Sequence, residues 1–298
     1  MRGHDADEAP VRGGSPLRSL VVLIVALAVV GGLGVFGWRY LKDTLLPQPP
    51  DGCTVTVGEH TVFLTPEQAK FAAIIVGEAQ RRGLPQRAMT IALATAYQES
   101  GIRNLNYGDR DSLGLFQQRP SQGWGTPEQI MDPWYSSGKF YAGLVKVKNW
   151  QTMDINDAAQ KVQISAYPNA YRKHVPNAEA ISAALSGRAP GALACRNAAQ
   201  PTGNPAAGRD FLRRALPDRV KVIEQNNTLT LKSQDPADVW SGVQLLLANT
   251  AETGVERAQV GTQQWCVCAP NPDAWEGAAA SDQREGSVTY RSAATPGR

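Results

Sequence analysis

The sequence predicts a mostly α-helical domain that follows an N-terminal transmembrane helix and precedes a small α+β domain. Residues 20–38 are uncharged and almost entirely apolar. Between Thr65 and Gly187, apolar residues recur at helical spacing, and no segment shows the alternation typical of a strand. Residues 188–207 are rich in Pro, Gly, Ala and Asn, and short alternating runs after them predict strands.

Residues 20–38 have the length and composition of a membrane-spanning helix. At a rise of about 1.5 Å per residue they span roughly 28 Å, close to a hydrocarbon core of about 30 Å. The next residues, 39–43, read Arg-Tyr-Leu-Lys-Asp and hold no small-residue cleavage pattern. We therefore expect an uncleaved signal anchor that holds the protein in the cytoplasmic membrane, rather than a cleaved signal peptide or a buried core helix.

The cysteines indicate which side of the membrane the globular part occupies. The basic residues that flank the span are balanced, with two before it and two after it: Arg12, Arg18, Arg39 and Lys42. The four cysteines, at positions 53, 195, 266 and 268, all follow the span, and an even number fits an oxidising exterior. Metal binding is the alternative role for these cysteines, but no histidine lies near Cys266 and Cys268 in the sequence, and C-x-C is not zinc spacing. We expect a single-pass protein whose C-terminal part lies outside the cell, with no metal and no cofactor.

The helical region begins at a clear start signal. Thr65, Pro66 and Gln68 read as an N-cap, a first-turn proline and a capping box. The pattern predicts helices from there to Gly83, over 86–99, from Asp132 past Val147, over 154–165 and over 177–185. The alanine-rich helix 86–99 permits close packing and is expected to lie at the centre of the domain.

The C-terminal part alternates between helical and strand patterns. The predicted elements are a helix over 209–216, strands over 220–224 and 228–231, a helix over 235–254, and strands over 264–267 and 288–290. The predicted segments are therefore a cytoplasmic tail (1–19), the anchor (20–38), a linker (39–62), the helical domain (63–187), a linker (188–207), the α+β domain of unknown role (208–292) and a disordered tail (293–298).

Charge patterning excludes one class of partner. The formal net charge is +3, and the basic residues form no long run. Nucleic acid binding requires a concentrated basic patch, so we expect none.

Glu99 is the strongest candidate for chemistry. A glutamate near a helix end is ordinarily a solvated charge. The helix before Glu99 is almost uncharged, however, so its carboxyl group is expected to be partly desolvated, which raises its pKa. A loop dense in Gly, Asp, Gln and aromatic residues follows. These features predict a general acid.

Three motifs in this region carry a family resemblance. Gln98-Glu99-Ser100, Gly114-Leu115-Phe116-Gln117 and Ala166-Tyr167 resemble the ordered motifs of soluble lytic transglycosylases and goose-type lysozymes. The run 109–126 is similar to the lysozyme-like module of actinobacterial membrane-anchored cell-wall proteins. The resemblance covers about residues 65–187. It implies a lysozyme-like fold and cleavage of the β-1,4 bond between N-acetylmuramic acid and N-acetylglucosamine in peptidoglycan.

The resemblance also implies roles for single residues. Glu99 is the general acid, and the groups expected to bind or orient the substrate are Ser100, Gly114, Gln117 and Gln118. Tyr167 or Tyr171 hydrogen-bonds Glu99, and both stay candidates because Pro168 interrupts the family's Ala-Tyr-Asn stretch. Trp124, between two glycines, is a candidate sugar-stacking surface.

A second carboxylate would decide the reaction type. Hydrolysis commonly uses one, whereas a lytic transglycosylase needs only the acid, because the muramyl 6-hydroxyl attacks and an anhydro sugar forms. Asp109 and Asp111 are the candidates, and the alternative is that they form a local ion-pair network with Arg110. The sequence leaves the two outcomes open.

The four cysteines allow three pairings. Cys53 and Cys195 bracket the helical domain, and the ends of a domain often lie close together, so a Cys53–Cys195 disulfide is favoured. Cys266 and Cys268 then pair with each other or stay unpaired.

Two functions follow from these observations. The first is a membrane-anchored enzyme that cleaves peptidoglycan glycan strands. The second is a non-catalytic lysozyme-like module that binds glycan or serves as scaffold in a wall-spanning or secretion complex, since a fold alone does not give function.

Overall fold

The computed structural model describes residues 50–292, except 165–168, 198 and 270, and scattered positions between 20 and 41. The predicted tails, 1–19 and 293–298, and Tyr167 lie outside the described residues. Residues 1–50 and 51–298 are two separate units.

The N-terminal unit corrects one part of the predicted fold class. Among the described residues no helix is both long and apolar enough to cross a membrane. The prediction of a transmembrane helix over 20–38 is therefore wrong for this structure.

The remaining unit is also less helical than predicted. The structure has about 46% helix and 18% strand, and its strands form two antiparallel sheets. The prediction of a mostly α-helical domain followed by a small α+β domain is corrected to an α+β architecture with two antiparallel sheets. Residues 51–298 form one compact unit, and the predicted boundary between 63–187 and 208–292 falls inside it.

The first sheet forms from segments that were predicted as linkers. Its strands are β1 (Gly52–Val57), β2 (His60–Leu64) and β3 (Leu193–Arg196), in the order β2-β1-β3. The sheet forms because alternate side chains of the hairpin, such as Val55 and Leu64, are fully buried. Cys53 lies directly opposite Cys195 in the β1–β3 pair, and the two are joined in a disulfide. The favoured pairing is thus confirmed.

The helices between β2 and β3 carry the candidate site. They are α1 (Pro66–Arg81), α2 (Gln86–Ser100), α3 (Pro127–Met131), α4 (Pro133–Leu144), α5 (Ile155–Gln163) and α6 (Val175–Leu185). The predicted capping box is present, because Thr65 and Gln68 exchange side-chain to backbone hydrogen bonds of 2.9 and 3.3 Å. Helix α2 contacts α1, α4, α5 and α6, and its alanines are fully buried, as expected for a central helix.

The second sheet packs on the helical part through two helices, one that precedes its strands and one that lies between them. Its order is β4-β5-β9-β6-β7-β8. The elements are α7 (Pro205–Ala215), β4 (Lys221–Gln225), β5 (Thr228–Lys232), α8 (Pro236–Leu247), α9 (Thr250–Thr253), β6 (Val255–Val260), β7 (Gln263–Cys266), β8 (Glu276–Gly277) and β9 (Glu285–Tyr290). Helix α8 contacts β5, β6 and β9, and it also contacts α6. Ser241 on α8 donates to the Leu185 carbonyl at 2.7 Å, and Gln244 donates to the Ala184 carbonyl at 2.7 Å.

Candidate active site

Glu99 lies in the last turn of α2, and the end of that helix fixes its position. Gly101 ends the helix with φ +67°, a left-handed conformation that favours glycine. Gln68 at the start of α1 donates to the Gly101 carbonyl at 2.8 Å. The turn that carries Glu99 is therefore tied to a second helix.

Two side chains hold the Glu99 carboxyl group. The Tyr171 hydroxyl donates to Glu99 Oε1 at 2.7 Å, and Tyr171 is fully buried. Gln163, the last residue of α5, also hydrogen-bonds the Glu99 side chain. Of the two tyrosines that the sequence left open, Tyr171 therefore occupies the supporting position, while Tyr167 lies outside the described residues.

The environment raises the pKa of Glu99. Burial of the half-buried carboxyl group is the largest cause, because a charge is less stable away from water. The hydrogen bonds from Tyr171 and Gln163 act in the opposite direction, since they stabilise the carboxylate, but they do not cancel the effect of burial. This is the direction that a general acid requires.

The glycine turn after Glu99 is packed against α2 and α5. Gly114 has φ +76°, and a Cβ there would lie 2.9 Å from the Ile130 carbonyl oxygen, so glycine is required for both conformation and space. Leu115 and Phe116 are fully buried. Gln163 donates to the Phe116 carbonyl at 2.7 Å and so connects this turn to the Glu99 carboxyl group.

Ser100 is part of the same connection. Its side chain is buried, and its hydroxyl is directed to the backbone carbonyls of Leu115 at 2.7 Å and Ala96 at 3.1 Å. It also accepts the backbone N–H of Arg103 at 3.2 Å. The structure therefore gives Ser100 contacts that join the end of α2 to the glycine turn, rather than an exposed group aimed at a substrate.

The two glutamines of the turn differ in exposure. Gln117 is half-buried, and its amide donates to the Tyr107 carbonyl at 3.2 Å. Gln118 is only 1% exposed, and its amide donates to the Ser136 carbonyl at 3.1 Å. Gln117 is thus the more accessible of the two, and its substrate-binding role stays a prediction, whereas Gln118 supports the turn from inside.

The two aspartates of the loop are engaged with neighbouring residues. The Asp109 side chain is 91% exposed and lies 3.8 Å from the Arg110 guanidinium. Asp111 accepts from Arg119 at 2.7 Å and from the Ser121 backbone N–H at 2.8 Å. The Arg119 hydrogen bond is the main reason that the pKa of Asp111 lies below its usual range. These contacts favour the local ion-pair alternative, with Arg119 rather than Arg110 as the partner of Asp111, and the role of a second carboxylate stays a prediction.

Trp124 is half-buried and packs on the hydrophobic core. The conformation of its two glycine neighbours keeps the chain in a turn, with φ +80° at Gly123 and +144° at Gly125. Part of the residue is accessible, and a sugar-stacking role for Trp124 stays a prediction.

A group of contacting side chains that includes the two residues before Glu99 was not predicted from the sequence. The rings of Tyr97 and His174 stack with centroids 5.3 Å apart, and His174 Nε2 lies 3.2 Å from Gln98 Oε1. Burial and the nearby Lys173 lower the pKa of His174, which favours the neutral ring at neutral pH. The sequence also missed Gln163, which the structure places at the end of α5, before Ile164 in a left-handed conformation with φ +54°. Among the described residues, no group of three His, Cys, Asp or Glu side chains could hold a metal ion.

Replacing Tyr171 by Phe is expected to raise the pKa of Glu99 further. The hydroxyl stabilises the carboxylate, so its loss favours the protonated form. Proton donation by Glu99 is lost as pH rises through its pKa, and the alkaline limb of the pH–rate profile should therefore move to higher pH. The measurement is the cleavage rate against pH for Tyr171→Phe, with Tyr107→Phe as the matched control at an exposed tyrosine. An unchanged alkaline limb would contradict the role given to Tyr171.

The site thus combines a partly desolvated carboxylic acid, two donors that orient it and an adjoining rigid turn. This arrangement can deliver a proton to a leaving group and then hold the resulting carboxylate. In comparisons with known proteins, no family model matches the chain and no curated protein matches it at a significant level.

Proposed function

We propose that the protein cleaves peptidoglycan glycan strands at the β-1,4 bond between N-acetylmuramic acid and N-acetylglucosamine, with Glu99 as general acid. The observation that carries the proposal is the half-buried Glu99 carboxyl group with a raised pKa, held by Tyr171 at 2.7 Å and by Gln163. The three ordered motifs that resemble lytic transglycosylases and goose-type lysozymes support the choice of substrate.

The chemistry follows from the contacts of Glu99. Its carboxyl group protonates the glycosidic oxygen as the bond to the anomeric carbon breaks, and positive charge develops on the sugar ring. The carboxylate that remains accepts the hydrogen bonds of Tyr171 and Gln163, which stabilise its new charge. The orientation of both donors is fixed beforehand, because Tyr171 is buried and Gln163 is also bound to the Phe116 carbonyl.

For the second step of the reaction, the contacts of the two aspartates favour attack by the substrate's own hydroxyl group over attack by water. Asp111 is already bound by Arg119, and Asp109 is exposed beside Arg110, so neither offers an uncommitted, desolvated base. In the alternative that remains, the muramyl 6-hydroxyl attacks the anomeric carbon and passes its proton to the Glu99 carboxylate. This restores the acid and gives a 1,6-anhydro product, the outcome of a lytic transglycosylase.

The proposal is tested by incubating the purified full-length chain with purified peptidoglycan and analysing the soluble fraction by mass spectrometry. Soluble muropeptides with anhydro ends, lighter by one water than reducing ends, are the expected products. Reducing ends would instead indicate hydrolysis and overturn the second step alone. If no muropeptides appear but the protein cosediments with the wall, the enzyme proposal fails, and the non-catalytic glycan-binding or scaffold function takes its place.

A further inference from the structure

The Cys266–Cys268 disulfide differs from the Cys53–Cys195 disulfide in its exposure and in the length of the loop that it closes. Cys266 at the end of β7 is bonded to Cys268, only two positions along the chain. Cys268 is exposed and Cys266 is half-buried, whereas Cys53 and Cys195 are buried and their bond spans a separation of 142 residues. A disulfide stabilises the fold by restricting the unfolded chain, and this effect grows with loop length. The Cys266–Cys268 bond closes a very short loop, so it contributes little stability in this way.

The surroundings of this bond form a cavity on the open face of the second sheet. It has a volume of about 360 Å³, and Cys266, Cys268, Arg257 and Glu276 are among its lining residues. Arg257 lies directly opposite Cys266 in the β6–β7 pair, and Glu276 lies opposite Gln264 in the β7–β8 pair. Directly opposite residues share a face of the sheet, and so do residues two apart on one strand. The four side chains of Cys266, Gln264, Arg257 and Glu276 therefore stand on the same face.

Two groups are placed to stabilise a thiolate at Cys266. The backbone N–H of Cys268 donates to Cys266 Sγ at 3.1 Å. Arg257, directly opposite Cys266 in the sheet, lines the same cavity, and a nearby cation favours the ionised form of a cysteine. The exposed Cys268 is the sulfur that an incoming thiol reaches, and Cys266 is the better leaving group.

We propose that Cys266–Cys268 is a thiol–disulfide exchange site that oxidises a thiol pair, independently of Glu99. A substrate thiolate attacks Cys268 Sγ, forms a mixed disulfide and displaces Cys266 as a thiolate. A second thiolate of the same substrate attacks the substrate sulfur of the mixed disulfide and displaces Cys268. The substrate dithiol loses two electrons and two protons and becomes a disulfide. Cys266 and Cys268 gain both and become thiols.

The first measurement is selective reduction of the full-length protein. The protein is treated with dithiothreitol, quenched at intervals with iodoacetamide and analysed by mass spectrometry. Cys266 and Cys268 should be alkylated about tenfold faster or more than Cys53 and Cys195, because one bond is exposed and short-range and the other is buried. Equal rates for the two pairs would overturn the proposal.

The second measurement identifies the kind of thiol that reacts. Equimolar oxidised protein is mixed in one arm with a reduced peptide that holds two cysteines, and in the other with dithiothreitol. Up to one peptide disulfide formed per protein supports a protein dithiol as substrate, whereas reaction with dithiothreitol alone supports a small thiol. Absence of reaction in both arms, or reaction that persists in the Cys266→Ser, Cys268→Ser double variant, would refute the site.

Point variants separate the chemistry from a structural effect. Arg257→Gln should slow displacement of Cys266, Arg257→Lys should restore it in part, and Glu276→Gln should leave it unchanged or faster, because Glu276 opposes the thiolate charge. Peptidoglycan cleavage should be unchanged in the double cysteine variant, since its positions lie apart from the contacts of Glu99. A common loss of rate in Arg257→Gln, Arg257→Lys and Glu276→Gln would point to a structural disturbance and contradict the charge argument.

Discussion

Glu99→Gln is expected to lower the rate of muropeptide release by about 10² to 10⁴-fold, the usual contribution of a general acid. Glutamine keeps the shape of the side chain and can still accept the Tyr171 hydroxyl, but it has no proton of suitable acidity to donate. The loss should therefore appear in kcat, while binding to the wall stays close to that of the unchanged protein.

The same substitution should stabilise the fold at neutral pH. The pKa of Glu99 is raised in the folded protein, so its favourable contribution is complete below the ordinary glutamate pKa and is lost as pH rises through the folded-state pKa. Glutamine resembles the protonated form and does not titrate. Thermal unfolding should show a higher Tm for Glu99→Gln at about pH 7 and little difference at about pH 3.5.

The control for both measurements is Asp109→Asn. It removes one carboxylate from the following loop, but the Asp109 side chain is 91% exposed, and its distance of 3.8 Å from the Arg110 guanidinium is too long for a strong hydrogen bond. Asp109→Asn should leave both the rate and the Tm close to their original values. A rate loss as large as that of Glu99→Gln would restore Asp109 as the second carboxylate, and a fully active Glu99→Gln protein would refute the proposed acid.

Local signals in the sequence predicted the helices that carry the site. The capping box at Thr65 and Gln68 marked the start of α1, and the alanine run marked α2, which ends at Ser100, one residue beyond the predicted Glu99. Both signals depend on residues within a few positions of each other, so they need no knowledge of the fold. The strands predicted over 220–224 and 228–231 are also present, as the antiparallel pair β4 and β5 joined by a short turn.

Local sequence signals did not predict the contacts that complete the site. Gln163 reaches both Glu99 and the Phe116 carbonyl from a different helix, and nothing in its local sequence distinguishes it from a solvated glutamine. The hairpin of β1 and β2 did carry a sequence signal, since apolar residues alternate with threonines over 53–57 and a glycine follows. In the structure that glycine, Gly58, turns the chain with φ +59°. The short length of the hairpin, and a third strand that joins from residue 193 onward, made it resemble a linker.

Removing the buried disulfide is expected to have the largest effect on stability. The double variant Cys53→Ala, Cys195→Ala opens a loop that spans a separation of 142 residues. Chain entropy alone predicts that the free energy of unfolding falls by about 4 to 5 kcal/mol. Alanine is the appropriate replacement because both side chains are buried, at 2% and 0% exposure, and a serine hydroxyl would lack a partner there.

The matched control is the Cys266→Ala, Cys268→Ala variant, in which the loop has a separation of only 2 residues and the entropy argument predicts a fall of about 1.6 kcal/mol. Urea unfolding of both variants gives the two values directly. Equal losses would show that loop length does not govern the stabilisation. Because Glu99, Gln163 and Tyr171 all lie between Cys53 and Cys195, the first variant should also lose cleavage activity at the urea concentration at which it unfolds. The control should retain activity to a higher concentration, which would tie the geometry of the site to the disulfide that closes the segment around it.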